Sequence, residues 1–205
     1  MRTSIVSIAV LMLISPAAFA HAGHGETGFM EGASHPIHGL DHLLAMVSVG
    51  LLAVRCASRA SGTTDSAGTR HALWQIPGAF MVAMAVGGCI AWAGIPLPLA
   101  EWGIALSVLV FGVLVALGNA PRTWVACLVV ALFALLHGHA HVAEMDGANV
   151  AVYMGGFLAT TAVLHSVSIG SGLMLSSALK QTSIRAVGSS VAAASAALFY
   201  GLAAS

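Results

Sequence analysis

From residue 35 onward the chain is a succession of apolar runs, each about as long as a bilayer is thick. A membrane-spanning helix needs about 20 consecutive, mostly apolar residues. Six such runs can be read, at roughly 35–54, 76–94, 101–118, 123–143, 149–173 and 185–203. Polar stretches separate them. "RCASRASGTTDSAGTRHALWQ" is the longest, "GIPLPLAE" carries two helix-stopping prolines, and "GNAPRT" makes the third connection. Composition agrees: 7% of residues are charged, against about 25% in a soluble domain. The expected fold is therefore all-α, a polytopic membrane protein with a bundle of about six transmembrane helices. Zero formal net charge and no basic patch argue against a nucleic-acid partner. The lipid bilayer is the extended partner implied. No G-x-x-x-x-G-K-[ST] loop is present, so the chain carries no ATPase of its own. Cys56, Cys89 and Cys127 sit in or beside apolar segments with no C-x-x-C pair, and read as small buried hydrophobes rather than a disulfide framework.

The first twenty residues read as a cleaved secretory signal: Arg2, an apolar Ile5–Ile14 core, Pro16, then Ala18-Phe19-Ala20 as the cleavage site. A retained first span competes, but the core is short for one. The domain reading is thus 1–20 signal peptide, 21–34 His-rich periplasmic tip, and 35–205 transmembrane domain. Arg55, Arg59, Arg70, Arg122, Lys180 and Arg185 fall on one side of a six-span arrangement; Glu101, Glu144 and Asp146 fall on the other. Positive loops stay in the cytoplasm. That puts the mature N-terminus in the periplasm, as the signal independently requires, in a multi-pass protein of the bacterial inner membrane.

Histidine is the outlier, with 10 residues against 7 Lys and Arg together. In "SHPIHGLDHLLAM", His35, His38 and His42 would share one face of the first span, with Asp41 on its flank and Met46 a turn deeper; Pro36 would lie in the first turn. In "LLHGHAHVAEM", His137, His141 and Glu144 form a second one-sided stripe, and His139 points the other way. Imidazoles with a carboxylate one turn on suit a first-row transition metal. Gly138 stands where H-E-x-x-H would need its general base, so a zinc protease is not indicated and the chain is expected not to be an enzyme. Polar groups are costly in lipid and normally face a cavity or bundle interior. The first span runs inward and the fourth outward. His42 and His137 are then both about 10 Å below the outer surface and can meet at the bottom of one funnel. His165 lies about 24 Å along the fifth span, the next station toward the cytoplasm. In the exported tip, His21, His24, Glu26 and Glu31 can capture metal. Gly pairs, Thr160, Thr161, Ser166 and Ser168 read as helix–helix contacts.

The motifs "HPIHGLDHLLAM", "FALLHGHAHVAE" and "TAVLHSVSIGSG", with the signal and His-rich tip, make the chain resemble the HupE/UreJ family of hydrogenase/urease accessory nickel permeases. The resemblance implies uptake of Ni2+, or Co2+, as cargo with no permanently bound cofactor, and a metalloenzyme maturation system as indirect client. It implies metal handling by His35, Asp41 and His42 and by His137, His141 and Glu144. Val142 stands where the family pattern expects Gly. The residues alone indicate a divalent transition metal without choosing one, and leave open whether the protein is a homo-oligomer. Other readings are a membrane metal chaperone or sensor, or a haem- or metal-binding membrane enzyme subunit using His42 and His137.

Overall fold

The computed structural model describes residues 28–60, 66–117, 119–145, 149–178 and 181–204. Among them the elements are all helical: α1 (Phe29–His38), α2 (Leu40–Ala60), α3 (Ser66–Trp92), α4 (Ala100–Ala116), α5 (Thr123–Ala143), α6 (Val150–Ala178) and α7 (Gln181–Ala204). Five stretches are long and apolar enough to cross a membrane: Leu40–Ala60, His71–Trp92, Thr123–Ala143, Val150–Leu175 and Gln181–Ala204. α4 is equally apolar but has 17 residues, the short end of the spanning range. The signal segment and the tip residues His21, His24 and Glu26 lie outside the described residues.

The beginning of the bundle departs from the expected 35–54 span. Gly39 is extended, at φ −86° and ψ 114°, and divides that stretch in two. α1 ends at His38, and α2 starts at Leu40 and continues past 54 to Ala60. Residues 29–34, expected in the tip, are helical. Pro36 is therefore not in a first turn: it lies in the second half of α1 and is buried. The helix starts early because its glycines let it seat on α6. A Cβ on Gly32 would strike the Tyr153 carbonyl, and one on Gly156 would strike the Phe29 carbonyl. Small residues permit this close backbone approach. The same device joins α3 to α5, where Gly87 lies on the Leu135 backbone and Gly138 on that of Met84.

α2 is the central helix. Its spanning window is 72% buried inside the protein, against 17% for α7. It packs on α3, α6 and α4, while α4 pairs with α7 and α1 with α6. Met46, Leu52, Phe80, Met84, Phe111 and Phe157 fill the core. Val82, Leu128, Leu132, Val163 and Val167 point outward, as lipid-facing side chains do. Ser168 on α6 donates a 2.6 Å hydrogen bond to the Val47 carbonyl of α2, the interhelical role expected of it.

Charges segregate to the two ends. Asp41 and Glu101 lie in the first turns of α2 and α4, and Glu144 caps the C-terminus of α5. At the other end Arg55, Arg59 and Arg185 donate to the carbonyls of Leu117, Ala120 and Ala116 respectively. These are carbonyls at and just past the C-terminus of α4, where no further helical turn supplies N–H groups to donate to them. Arg122 is the N-cap of α5 at that same end. Lys180, Asp146 and the Arg70 side chain lie outside the described residues.

Candidate metal centre

Four imidazoles meet near the acidic end of the bundle. His42 is the third residue of α2, His137 and His141 are one turn apart on α5, and His35 comes from α1. The His42 ring centroid is 5.3 Å from His137, 4.4 Å from His141 and 5.7 Å from His35; His35 and His141 are 4.5 Å apart. His35, His42 and His141 can each offer a nitrogen such that all three atoms lie within 4.8 Å of one another. His42, His137 and His141 are buried.

Hydrogen bonding sets which nitrogen each ring can offer. Asp41 Oδ1 lies 2.6 Å from His42 Nδ1 and also accepts from the His42 backbone N–H at 2.8 Å. The Phe133 carbonyl lies 3.0 Å from His137 Nδ1. Each acceptor calls for a proton on Nδ1 and leaves the lone pair on Nε2. Among the described residues, Nε2 of His42 and of His137 and both nitrogens of His141 have no hydrogen-bond partner. Carboxylate or carbonyl on one ring nitrogen and metal on the other is the usual arrangement of metal-binding histidines. His35 sits on α1, ahead of the spanning helices. Burial, then the His42 ring beside it, lowers its pKa to about 4, so it is neutral at pH 7 and its lone pair is available. A group of buried, unpaired imidazoles is costly, and a divalent metal ion would take one nitrogen from each of His35, His42 and His141, whose candidate ligand atoms lie together.

The chain matches the family model described as HupE / UreJ protein over residues 9–198. It is 38% identical to Protein HupE of Rhizobium leguminosarum bv. viciae over 203 residues, 98% of this chain and 100% of that protein. The chain belongs to the HupE/UreJ family. No solved structure matches it.

In this HupE/UreJ chain the expected ligands separate into three groups. His35, His42, His137 and His141 converge, with Asp41 directly behind His42. His38 does not join them: the turn at Gly39 leaves it exposed, with Nδ1 2.8 Å from the Ser34 carbonyl. The face expected to be shared by His35, His38 and His42 is thus interrupted, and only the outer pair meets. Glu144 is exposed at the end of α5, within hydrogen-bonding reach of the Glu101 carboxyl. Asp41 and His42 are close enough to Glu101 to act on it electrostatically, so the three carboxyls border the centre. From the sequence Glu101 serves only to orient the chain. The signal for more was its position, an acid opening an otherwise apolar helix. His139 does point away, with Nε2 2.8 Å from the Ile95 carbonyl.

Below the cluster stands Phe80. Its ring centroid is 5.5 Å from His137 and 5.2 Å from His165. His165 is buried, and both its ring nitrogens lack a partner among the described residues. Gly50 of α2 lies against the His165 carbonyl, eight residues beyond His42 and thus about 12 Å deeper. Met46 is fully buried in the core one turn past His42. His42 and His137 stack edge to face, leaving no slot for a haem macrocycle between them.

Proposed function

We propose that the protein is an inner-membrane permease that takes up a divalent transition metal, Ni2+ or Co2+, for metalloenzyme maturation. The observation that carries this reading is the convergence of the His35, His42, His137 and His141 rings from three helices, with unpartnered nitrogens on His42, His137 and His141. Imidazole suits several first-row metals, and its intrinsic affinity favours Cu2+ over Ni2+. The choice of nickel or cobalt rests on the family resemblance.

The route runs inward from the acidic end. His21, His24 and Glu26 of the tip raise the local metal concentration. Asp41, Glu101 and Glu144 attract the dication and offset part of its charge, and the four histidines replace its water. Passage beyond them goes by Phe80 to His165, with Met46 lining the central helix. With the arginine end in the cytoplasm by the positive-inside rule, an inside-negative potential favours entry of a dication by about 4.6 kcal/mol per 100 mV. No ATP is then required. The test is uptake of radioactive Ni2+ into proteoliposomes with an imposed inside-negative potential. Saturable uptake is expected, abolished by His42→Ala. Tight binding without uptake would make the protein a metal chaperone or sensor instead.

A further inference from the structure

Far from the histidines, at the arginine end, a cavity of about 680 Å3 opens between the end of α2, the α4–α5 connection and the start of α7. Arg55, Arg59 and Arg185 line it with Ser58, Asn119 and Thr182. Arg59 and Arg55 lie 17 and 13 residues beyond His42 on α2, which places the cavity about 20 to 25 Å from the metal centre. The metal pathway as read above makes no use of it.

The arginines are held rather than loose. Arg59 Nη1 donates to the Ala120 carbonyl at 2.5 Å, and Arg185 Nε to the Ala116 carbonyl at 2.9 Å. Arg55 donates to the Leu117 carbonyl and to Gln181 Oε1, the latter at 3.0 Å, and Gln181 in turn donates to Ser58 Oγ at 3.0 Å. A guanidinium carries five donors in a planar fork. One anchored N–H sets the plane of Arg59 or Arg185 and leaves further donors for a ligand. The carbonyls of α4 contribute only partial negative charge against the full positive charges of Arg59 and Arg185. No carboxylate among the described residues lines the cavity, and Asp65, in the 61–65 connection, lies outside them. α7 also begins here, with its positive end toward the cavity.

We propose that this cavity is a phosphate-binding site. Several fixed guanidiniums with hydroxyl and amide groups beside them match the oxygens of a phosphate mono- or diester. Basic pockets between helices at the positive face of a membrane protein take lipid phosphates in this way. Two sources share the chemistry, the headgroup of an anionic phospholipid and soluble phosphate. The site is independent of the metal reading and can fail or stand without it.

The experiment uses the full-length protein in neutral detergent, free of added metal. Binding of phosphatidylglycerol, phosphatidylcholine and inorganic phosphate is titrated through the thermal melt. Phosphatidylglycerol is expected to bind and phosphatidylcholine not; a response to inorganic phosphate at comparable concentration would assign the site to a soluble ligand. Arg185→Gln should weaken binding about tenfold or more, the loss of a charge-assisted contact. Asn119→Asp puts a carboxylate among the guanidiniums and keeps every arginine in place, so it should fold normally and weaken binding as much. Arg122→Gln removes the same charge at the same end but outside the cavity, and should change little. Equal responses to phosphatidylglycerol and phosphatidylcholine without any to phosphate would overturn the proposal. So would undiminished binding in Asn119→Asp, or a loss in Arg122→Gln as large as in Arg185→Gln.

Discussion

What holds the other nitrogen of His42 and of His137 would prepare each ring to bind a metal. Asp41 occupies Nδ1 of one and the Phe133 carbonyl Nδ1 of the other. Replacing Asp41 with Asn should therefore cost metal affinity about 10- to 100-fold, although Asp41 need not touch the ion. Direct ligands cost more. Because His42 and His137 would hold one ion, the double change to Ala should be little worse than either single change. Equilibrium dialysis on the four variants, at matched expression, checks both statements; strictly additive losses would separate the two histidines into different sites. His165 gives a different pattern. It is one aromatic ring beyond the four-histidine group, so His165→Leu should leave outer-site affinity unchanged. Uptake should fall by about tenfold or more, the usual cost of losing a group that supports a metal. An uptake rate equal to that of the unaltered protein would remove His165 from the route.

α1 contributes a candidate ligand, His35, without being one of the spanning helices. Its position depends on two glycine contacts with α6, and its break from α2 depends on Gly39. Gly156→Val would drive a branched side chain into the Phe29 carbonyl. Overpacking of this kind costs about 1–3 kcal/mol and is most simply relieved by lifting α1, which carries His35 away from His42 and His141. The expected result is a folded protein with metal affinity lowered about 10- to 100-fold, and almost no further loss when His35→Ala is added. Unchanged affinity in Gly156→Val would show that α1 does not position His35. The α3–α5 contact at Gly87 and Gly138 has the same form but a different consequence, since it sets the distance from Phe80 to His137.

Among the described residues of the spanning helices the bundle is polarised, with the Asp41, Glu101 and Glu144 carboxyls at one end and guanidiniums at the other. That arrangement predicts its orientation. In a background lacking Cys56, Cys89 and Cys127, a cysteine at position 62 should be shielded from an impermeant reagent in intact spheroplasts, and one at position 147 should react. Labelling at 62 from outside would reverse the topology and, with it, the direction of the route. Position 62 lies in the connection between α2 and α3 and position 147 in that between α5 and α6, so the outcome reports which end of the bundle faces the periplasm.

The all-helical class and most of the apolar spans were legible because lipid imposes a length and a polarity on each span, and both are local properties of the chain. The two histidine stripes were legible for the same reason: an imidazole in an apolar run is conspicuous wherever the run folds. Equal depth from one face even brought His42 and His137 together correctly. Local rules could not foresee that Gly39 would interrupt the first stripe. The stretch from His35 carries Pro36 and Gly39 but runs into a long apolar segment and so reads as one helix, whereas the break accompanies the seating of α1 on α6 more than a hundred residues away. That contact keeps His35 and discards His38. Nor could spacing place Phe80 between two histidines, bring Glu101 beside Glu144, or gather three arginines around one cavity. Each of those depends on which helices are neighbours, and neighbours in lipid are chosen by close packing between small residues, which has no period to read along the chain.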